Sequence, residues 1–184
     1  ETGKIDVFRG YMTGNGGGRR NFTPSVVMVA ATGAQSIYYI PKSDFAAVGV
    51  ATRAIDAGSA RGYGTLQSMA ATEMMMDEMA ARLNLDPIDF RKRNVLKSGM
   101  KNTQGAIPAG AVRADEILDL AAKHDIWTAR NKRKTEFETK HPGKRYGVGF
   151  ACVQKDFGTG AETSFARVEF SADGKLVLHH SGAE

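Results

Sequence analysis

One cysteine in 184 residues, Cys152, leaves nothing for an internal disulfide or a CxxC metal site, and the four histidines fall at no HExxH or Cys/His ligand spacing. A metal ion held directly by protein side chains is therefore not expected. Apolar runs are short as well. None approaches the ~18 residues that a helix needs to cross a bilayer, so no membrane span is expected. Also missing at Glu1 are an initiator Met, a basic n-region and an apolar h-region. The chain opens on ETGKIDVF as if inside a strand and stops at HHSGAE straight after one. The expectation is a piece of a longer polypeptide, truncated at both ends, whose targeting signal would lie upstream and whose favoured compartment is the cytoplasm.

What is present is ordinary for a globular chain: 42% hydrophobic and 24% charged residues, enough to bury a core. The net charge of +5 raises a nucleic-acid reading. Its cations gather at Arg91 to Arg93, Arg130 to Lys134 and Lys140 to Arg145, the last two groups in a segment with Glu136 and Glu138 interleaved. No aromatic stacking platform accompanies them, so they read as solvated surface and no nucleic-acid partner is expected.

Residues 1 to about 56 read as β-rich: KIDVF and PSVVMVAAT carry strand-forming residues, GNGGGRR from Gly14 to Arg20 reads as a turn, and SIYYIPKSDF and VGVATRAID read as extended. GNGGG lacks the GxxxxGK[ST] spacing of a phosphate loop, and no clear helix is expected after it. From Leu66 to about Leu83 apolar residues recur at three- and four-residue spacing, which predicts a buried helix ended by Asn84. Its run Met74 to Met76 reads as packing, because consecutive residues point around a helix and not at one ion. Asp86-Pro87 opens another helix, with Asp86 as N-cap and Asp89 beside the positive dipole end, running to about Asn94. RADEILDLAAKHD and the stretch from Trp127 to about Lys140 predict further helices, stopped by Pro142 and Gly143. KRYGVGFACVQ, TSFARVEFSA and KLVLHHSG are strand candidates, the last two joined by the hairpin turn Asp173-Gly174. The fold class is α+β, a mixed or antiparallel sheet with packed helices.

The stretch SARGYGTLQSM, Ser59 to Met69, sets an arginine and an aromatic ring between glycines just before the Leu66 helix. Gly62 and Gly64 allow a tight bend and a close approach. Arg61 offers a planar fork of donors to phosphate or oxo groups, and the helix start offers open N–H groups. Tyr63 can present its ring to a planar molecule, with Gln67 four residues on at the same rim. The plainer alternative is a strand-to-helix turn with Arg61 in a surface ion pair.

The run from Ser59 to Gly99, SARGYGTLQSMAATEMMMDEMAARLNLDPIDFRKRNVLKSG, resembles the molybdenum-binding portion of the xanthine dehydrogenase and aldehyde oxidase family, with its RG[FY]G turn, glutamine, amphipathic helix and D-P-x-x-[FV]-R-x-[KR]-N element. YYIP at Tyr38 to Pro41, GVGFACV and ARVEFSADGKLVLHHSGAE fit as well, so the resemblance covers nearly the whole chain as a partial molybdopterin-binding domain. It implies a molybdenum–molybdopterin cofactor whose metal sits on dithiolene sulfurs, the cytosine dinucleotide being one form it allows. Arg61 and Gly62 would contact this cofactor. Tyr63 would line the substrate pocket, with Phe157 of KDFGTG as the opposing aromatic. In such enzymes a glutamate deprotonates a molybdenum-bound hydroxyl, which attacks an electron-poor carbon while hydride passes to a molybdenum sulfido group, and electrons then leave through iron–sulfur clusters to FAD or another acceptor. The resemblance therefore implies iron–sulfur and FAD partner domains or subunits, and a hetero- and homo-oligomeric whole.

No catalytic residue is expected within these 184 residues: the general base belongs further on, and Glu184 is not it. Ala60 replaces a common aromatic before Arg61, Thr65-Leu66 replace a small residue and proline, and no arginine stands near Val29, where purine-oxidising members have one. Aldehydes or N-heteroaromatics such as purines are the implied substrates, with xanthine itself doubtful. A non-catalytic scaffold that keeps the fold, and a basic nucleic-acid-binding module, are the competing readings.

Overall fold

The computed structural model describes residues 2–19, 21–102, 104–154 and 166–180. Strand β1 (Val7–Asn15) and strand β2 (Lys42–Val50) pair in parallel, and helix α1 (Thr23–Gly33) crosses between them and packs on both. A parallel pair needs such a crossover because a tight turn can only return the chain antiparallel. The expected strand at PSVVMVAAT is therefore this helix. Pro24 sits in its first turn, where a missing N–H costs nothing, and Thr23, Val27 and Ala31, four residues apart, form its buried stripe. The β-branched residues Val26, Val27 and Val29 misled because strand propensity is weak against packing. A helix does follow GNGGG, contrary to expectation, yet the loop is no phosphate cradle. Its Gly16 N–H donates to Val50 O at 2.8 Å and its Gly17 N–H to Asn15 Oδ1 at 3.0 Å. Gly14 serves packing: a Cβ there would lie 2.2 Å from Val27 Cγ1, so β1 accepts α1 only where it carries no side chain.

Helix α2 (Thr65–Arg82) lies against α1, and Leu83 and Asn84, the latter at φ 53, close it as the sequence predicts. Its buried face is Thr65, Ser68, Met69, Thr72, Glu73, Met76 and Ala80, while Leu66, Met74 and Met75 are exposed. Helix α3 (Pro87–Asn94) packs on α2 with the predicted bounds, and the Asp86 side chain accepts from Ile88 N and Asp89 N. Helices α4 (Ala114–Lys123), α5 (Asp125–Thr128) and α6 (Arg130–Lys140) continue the succession, each touching the one before it. The core gathers Ile37, Tyr38, Ile40, Met76, Ala80, Ile88, Phe90, Val95, Leu118 and Trp127. Strands β3 (Ala166–Phe170) and β4 (Leu176–His180) form the expected antiparallel hairpin, with Gly174 at φ 79 in its turn.

Residues 144–154, expected as a strand, carry no ladder. They run extended, and Tyr146, Val148, Phe150 and Cys152 are half-buried while Gly147, Gly149 and Ala151 are exposed. The period of two is there, but no partner strand is among the described residues. No helix among the described residues is long and apolar enough to cross a membrane.

Candidate functional site

The turn before α2 takes three successive residues through the left-handed region: Gly62 at φ 91, Tyr63 at φ 51 and Gly64 at φ 93. Tyr63 N–H donates to Ala60 O at 2.8 Å and Thr65 N–H to Gly62 O at 3.0 Å, which closes the bend. What approaches this backbone is the protein itself. A Cβ on Gly64 would stand 2.4 Å from Val26 O, so the turn rests directly on α1. Gly62 faces Leu66, whose Cγ would lie 2.9 Å from an added Cβ. Tyr63 is half-buried and meets the Phe22 ring edge-on, centroids 6.4 Å apart.

Arg61 is exposed at the entry to the turn. Beside it, α2 begins without a side-chain cap, its N-cap Gly64 having none to offer, and no Asp or Glu stands in its first turn. The open N–H groups and the positive dipole end are thus not neutralised locally. A guanidinium next to such a terminus suits an anionic group. Gln67 and Gly64 border a mostly apolar groove of about 470 Å³ that also runs past Tyr11, Met12, Ala30 and Met75. Arg61, Gly62 and Tyr63 follow one another through this turn, with Arg61 exposed and the other two half-buried. Phe157 lies outside the described residues.

Sequence reasoning missed the most densely bonded charges in the molecule. Arg91, grouped there with a surface cluster, is fully buried, and Glu73 on α2 is 6% exposed. Arg91 Nε donates to Glu73 Oε2 at 3.0 Å, Nη2 to Glu73 O at 3.2 Å and Nη1 to Pro87 O at 3.1 Å, while Nη2 pairs with Glu73 Oε2 at 2.9 Å and Nη1 with Asp77 Oδ1 at 2.8 Å. Each guanidinium nitrogen thus donates a hydrogen bond and the charge is paired with two carboxylates, the condition under which a buried charge is tolerable. Tyr38 Oη donates to Glu73 Oε1, and Cys152 N–H donates to Glu73 Oε2 at 3.0 Å. Burial, then the Glu73 carboxylate, pushes the Tyr38 phenol far above its usual range. The Cys152 thiol is raised for the same two reasons, which makes it a poor nucleophile. A visible signal existed: Glu73 and Asp77 lie four apart on α2, flanking Met76 on the face that must be buried.

The DPIDFRKRN element is accordingly structural throughout. Asp86 caps α3 and accepts from Arg130 at 2.6 Å, Phe90 enters the core, Arg91 holds Glu73, and buried Asn94 binds Gly3 O and Ile5 N, each at 2.8 Å.

A family model, molybdopterin cofactor-binding domain, matches residues 1–95. The chain is 33% identical over 156 residues, 83% of its length, to aldehyde oxidoreductase of Megalodesulfovibrio gigas, and 31% identical over 131 residues, 70% of its length, to the xanthine dehydrogenase molybdenum-binding subunit of Escherichia coli O157:H7. Among solved structures, the aldehyde oxidoreductase from Desulfovibrio desulfuricans superposes with a TM-score of 0.71 at 22% identity, over 96% of this chain and 19% of that one. The chain spans 17% of the length of both curated relatives.

Proposed function

The chain belongs to the molybdopterin cofactor-binding domains of the xanthine dehydrogenase and aldehyde oxidase family, and from that membership we propose that it is part of a molybdenum hydroxylase, inert by itself. This oxidoreductase would hydroxylate aldehydes or N-heteroaromatics with water as the oxygen source. The observation that carries the reading is Arg61 beside the uncapped, acid-free start of α2, on a turn fixed against α1. Arg61 would bind the anionic part of the cofactor through its guanidinium, and the Gly62 backbone would allow close approach. Tyr63 would border the substrate, with Phe157 as the second ring. When bound, the cofactor supplies two-electron oxidation of an electron-poor carbon.

No proton acceptor for that chemistry is assigned among the described residues. Glu73, the buried carboxylate, has both oxygens occupied and its charge paired, so it cannot serve as the base. The base would come from elsewhere in the parent polypeptide, and iron–sulfur and FAD units would take the electrons.

Molybdenum measured by plasma mass spectrometry on the parent polypeptide from its own host tests this. Wild type should carry metal close to equimolar with the chain, and Arg61→Ala should lose most of it while keeping its thermal midpoint. Metal-free wild type in a host that makes the cofactor would favour a non-catalytic scaffold. Unchanged metal and turnover in Arg61→Ala would remove Arg61 from the site.

A further inference from the structure

The Glu73 cluster has no part in the chemistry proposed above, yet its geometry is specific. Residues 146–154 lie against the core, and no ladder holds them among the described residues. Their apolar contacts are the half-buried Val148, Phe150 and Cys152, with the Phe150 ring 6.1 Å from Trp127 and 5.7 Å from the Arg91 guanidinium carbon. Two backbone amides of the segment reach carboxylates: Tyr146 N–H donates to Glu138 Oε1 at 3.2 Å, and Cys152 N–H to Glu73 Oε2 at 3.0 Å. The first is near the surface, on the adjoining helix. The second is partly buried like the first, but it ends on a carboxylate that is itself buried and joins residues 79 apart in sequence.

Glu73 suits the role of a fixed acceptor. Arg91 and Tyr38 hold its carboxylate from α3 and from the segment after α1, so the position of Oε2 does not depend on the arrival of residue 152. Arg91 also pairs with it at 2.9 Å, and a hydrogen bond to a member of an ion pair is the stronger kind. Asp77, on the same face of α2, is half exposed and bound to the other side of Arg91, so it cannot substitute. Tyr38, Glu73 and Arg91 all lie within the region that matches the family, residues 1–95, whereas Cys152 lies outside it.

We propose that Glu73 is a positioning residue: its buried carboxylate latches residues 146–154 onto the unit that matches the cofactor-binding family, making the two one body. The latch stands on these contacts alone. Its value for catalysis, keeping the cofactor-holding unit in register with the following chain, rests on the function proposed above.

The test uses the parent polypeptide and the Cys152 thiol as reporter, following iodoacetamide labelling of the Cys152 peptide by mass spectrometry. In Glu73→Gln the released segment should label at least about tenfold faster than wild type after each rate is corrected for the thiolate fraction read from its own pH profile, while the amides of α2 and α3 keep their protection from hydrogen exchange. A folded Glu73→Gln protein that labels within about twofold of wild type overturns the latch. Should that variant not fold, Cys152→Pro removes the donor together with the thiol and leaves the Glu73–Arg91 pair whole, with Cys152→Ala, which keeps the N–H, as the control for the lost side chain. Peptide 146–154 must then exchange its amides markedly faster than wild type, and unchanged exchange sinks the proposal. Molybdenum content on the same preparations separates the two ideas: metal-free wild type defeats the cofactor reading and leaves the labelling result standing, while full metal with unchanged labelling defeats the latch alone.

Discussion

At the scale of single residues, the two glycines of the Arg61 turn look alike in sequence and differ in what surrounds them. Both sit near φ 90, so a Cβ at either position costs about 1–2 kcal/mol of backbone strain. At Gly62 the atom in the way belongs to Leu66, a side chain 63% exposed and free to turn aside. At Gly64 it is the backbone carbonyl of Val26, and moving it means moving α1. Gly62→Ala should therefore lose only the strain, whereas Gly64→Ala should add about 1–3 kcal/mol of overpacking. Urea midpoints of the two variants check the order. Equal losses would mean that α1 does not seat the turn.

At the scale of elements, a single aspartate ties two helices together. Asp86 Oδ1 caps α3, and Oδ2 takes Arg130, whose guanidinium also lies 4.0 Å from the Trp127 ring at the junction of α5 and α6. Asp86→Asn keeps the cap and weakens the partly exposed charge pair, for a loss of about 0–1 kcal/mol. Asp86→Ala removes both and should cost about 1–2 kcal/mol more. Equal denaturation midpoints would show that the cap does not matter. The cap was legible because its signal, Asp-Pro-x-Asp, is local, as were the start of α2 and the Asp173-Gly174 hairpin. α1 was not legible, because what makes PSVVMVAAT helical is the parallel pairing of two strands on either side of it. The Arg61 turn was readable from its glycines, but Glu73 and Arg91 were hidden for the reason α1 was. Eighteen residues separate them, and neither carries a mark of burial until α2 and α3 are packed together.

At the scale of the molecule, packing thins toward the carboxyl end. Seven Lys and Arg against two Glu in residues 130–145 account for the whole +5, and α6, which carries much of this charge, buries no residue. The hairpin goes further: among the described residues, β3 and β4 touch no other element. Its register sets Val168 opposite Leu178 and Phe170 opposite Leu176 on one face, all between 59% and 80% exposed, with Arg167, Glu169 and His179 on the other. A lone two-stranded hairpin is marginal in water, and an uncovered apolar face is a surface that seeks a partner. The 184-residue chain should therefore associate as concentration rises in a sedimentation experiment. Replacing Phe170 and Leu178 together by threonine keeps strand propensity and removes most of the apolar face, so association should fall. The urea midpoint of the helical core should stay put, since nothing in that core leans on the hairpin. If association persists in the double variant, the adhesive surface lies elsewhere, the groove beside Tyr11 and Met75 being one further stretch of exposed apolar ground. If instead the core weakens, the hairpin packs on it in solution, and the absence of contacts between them is wrong.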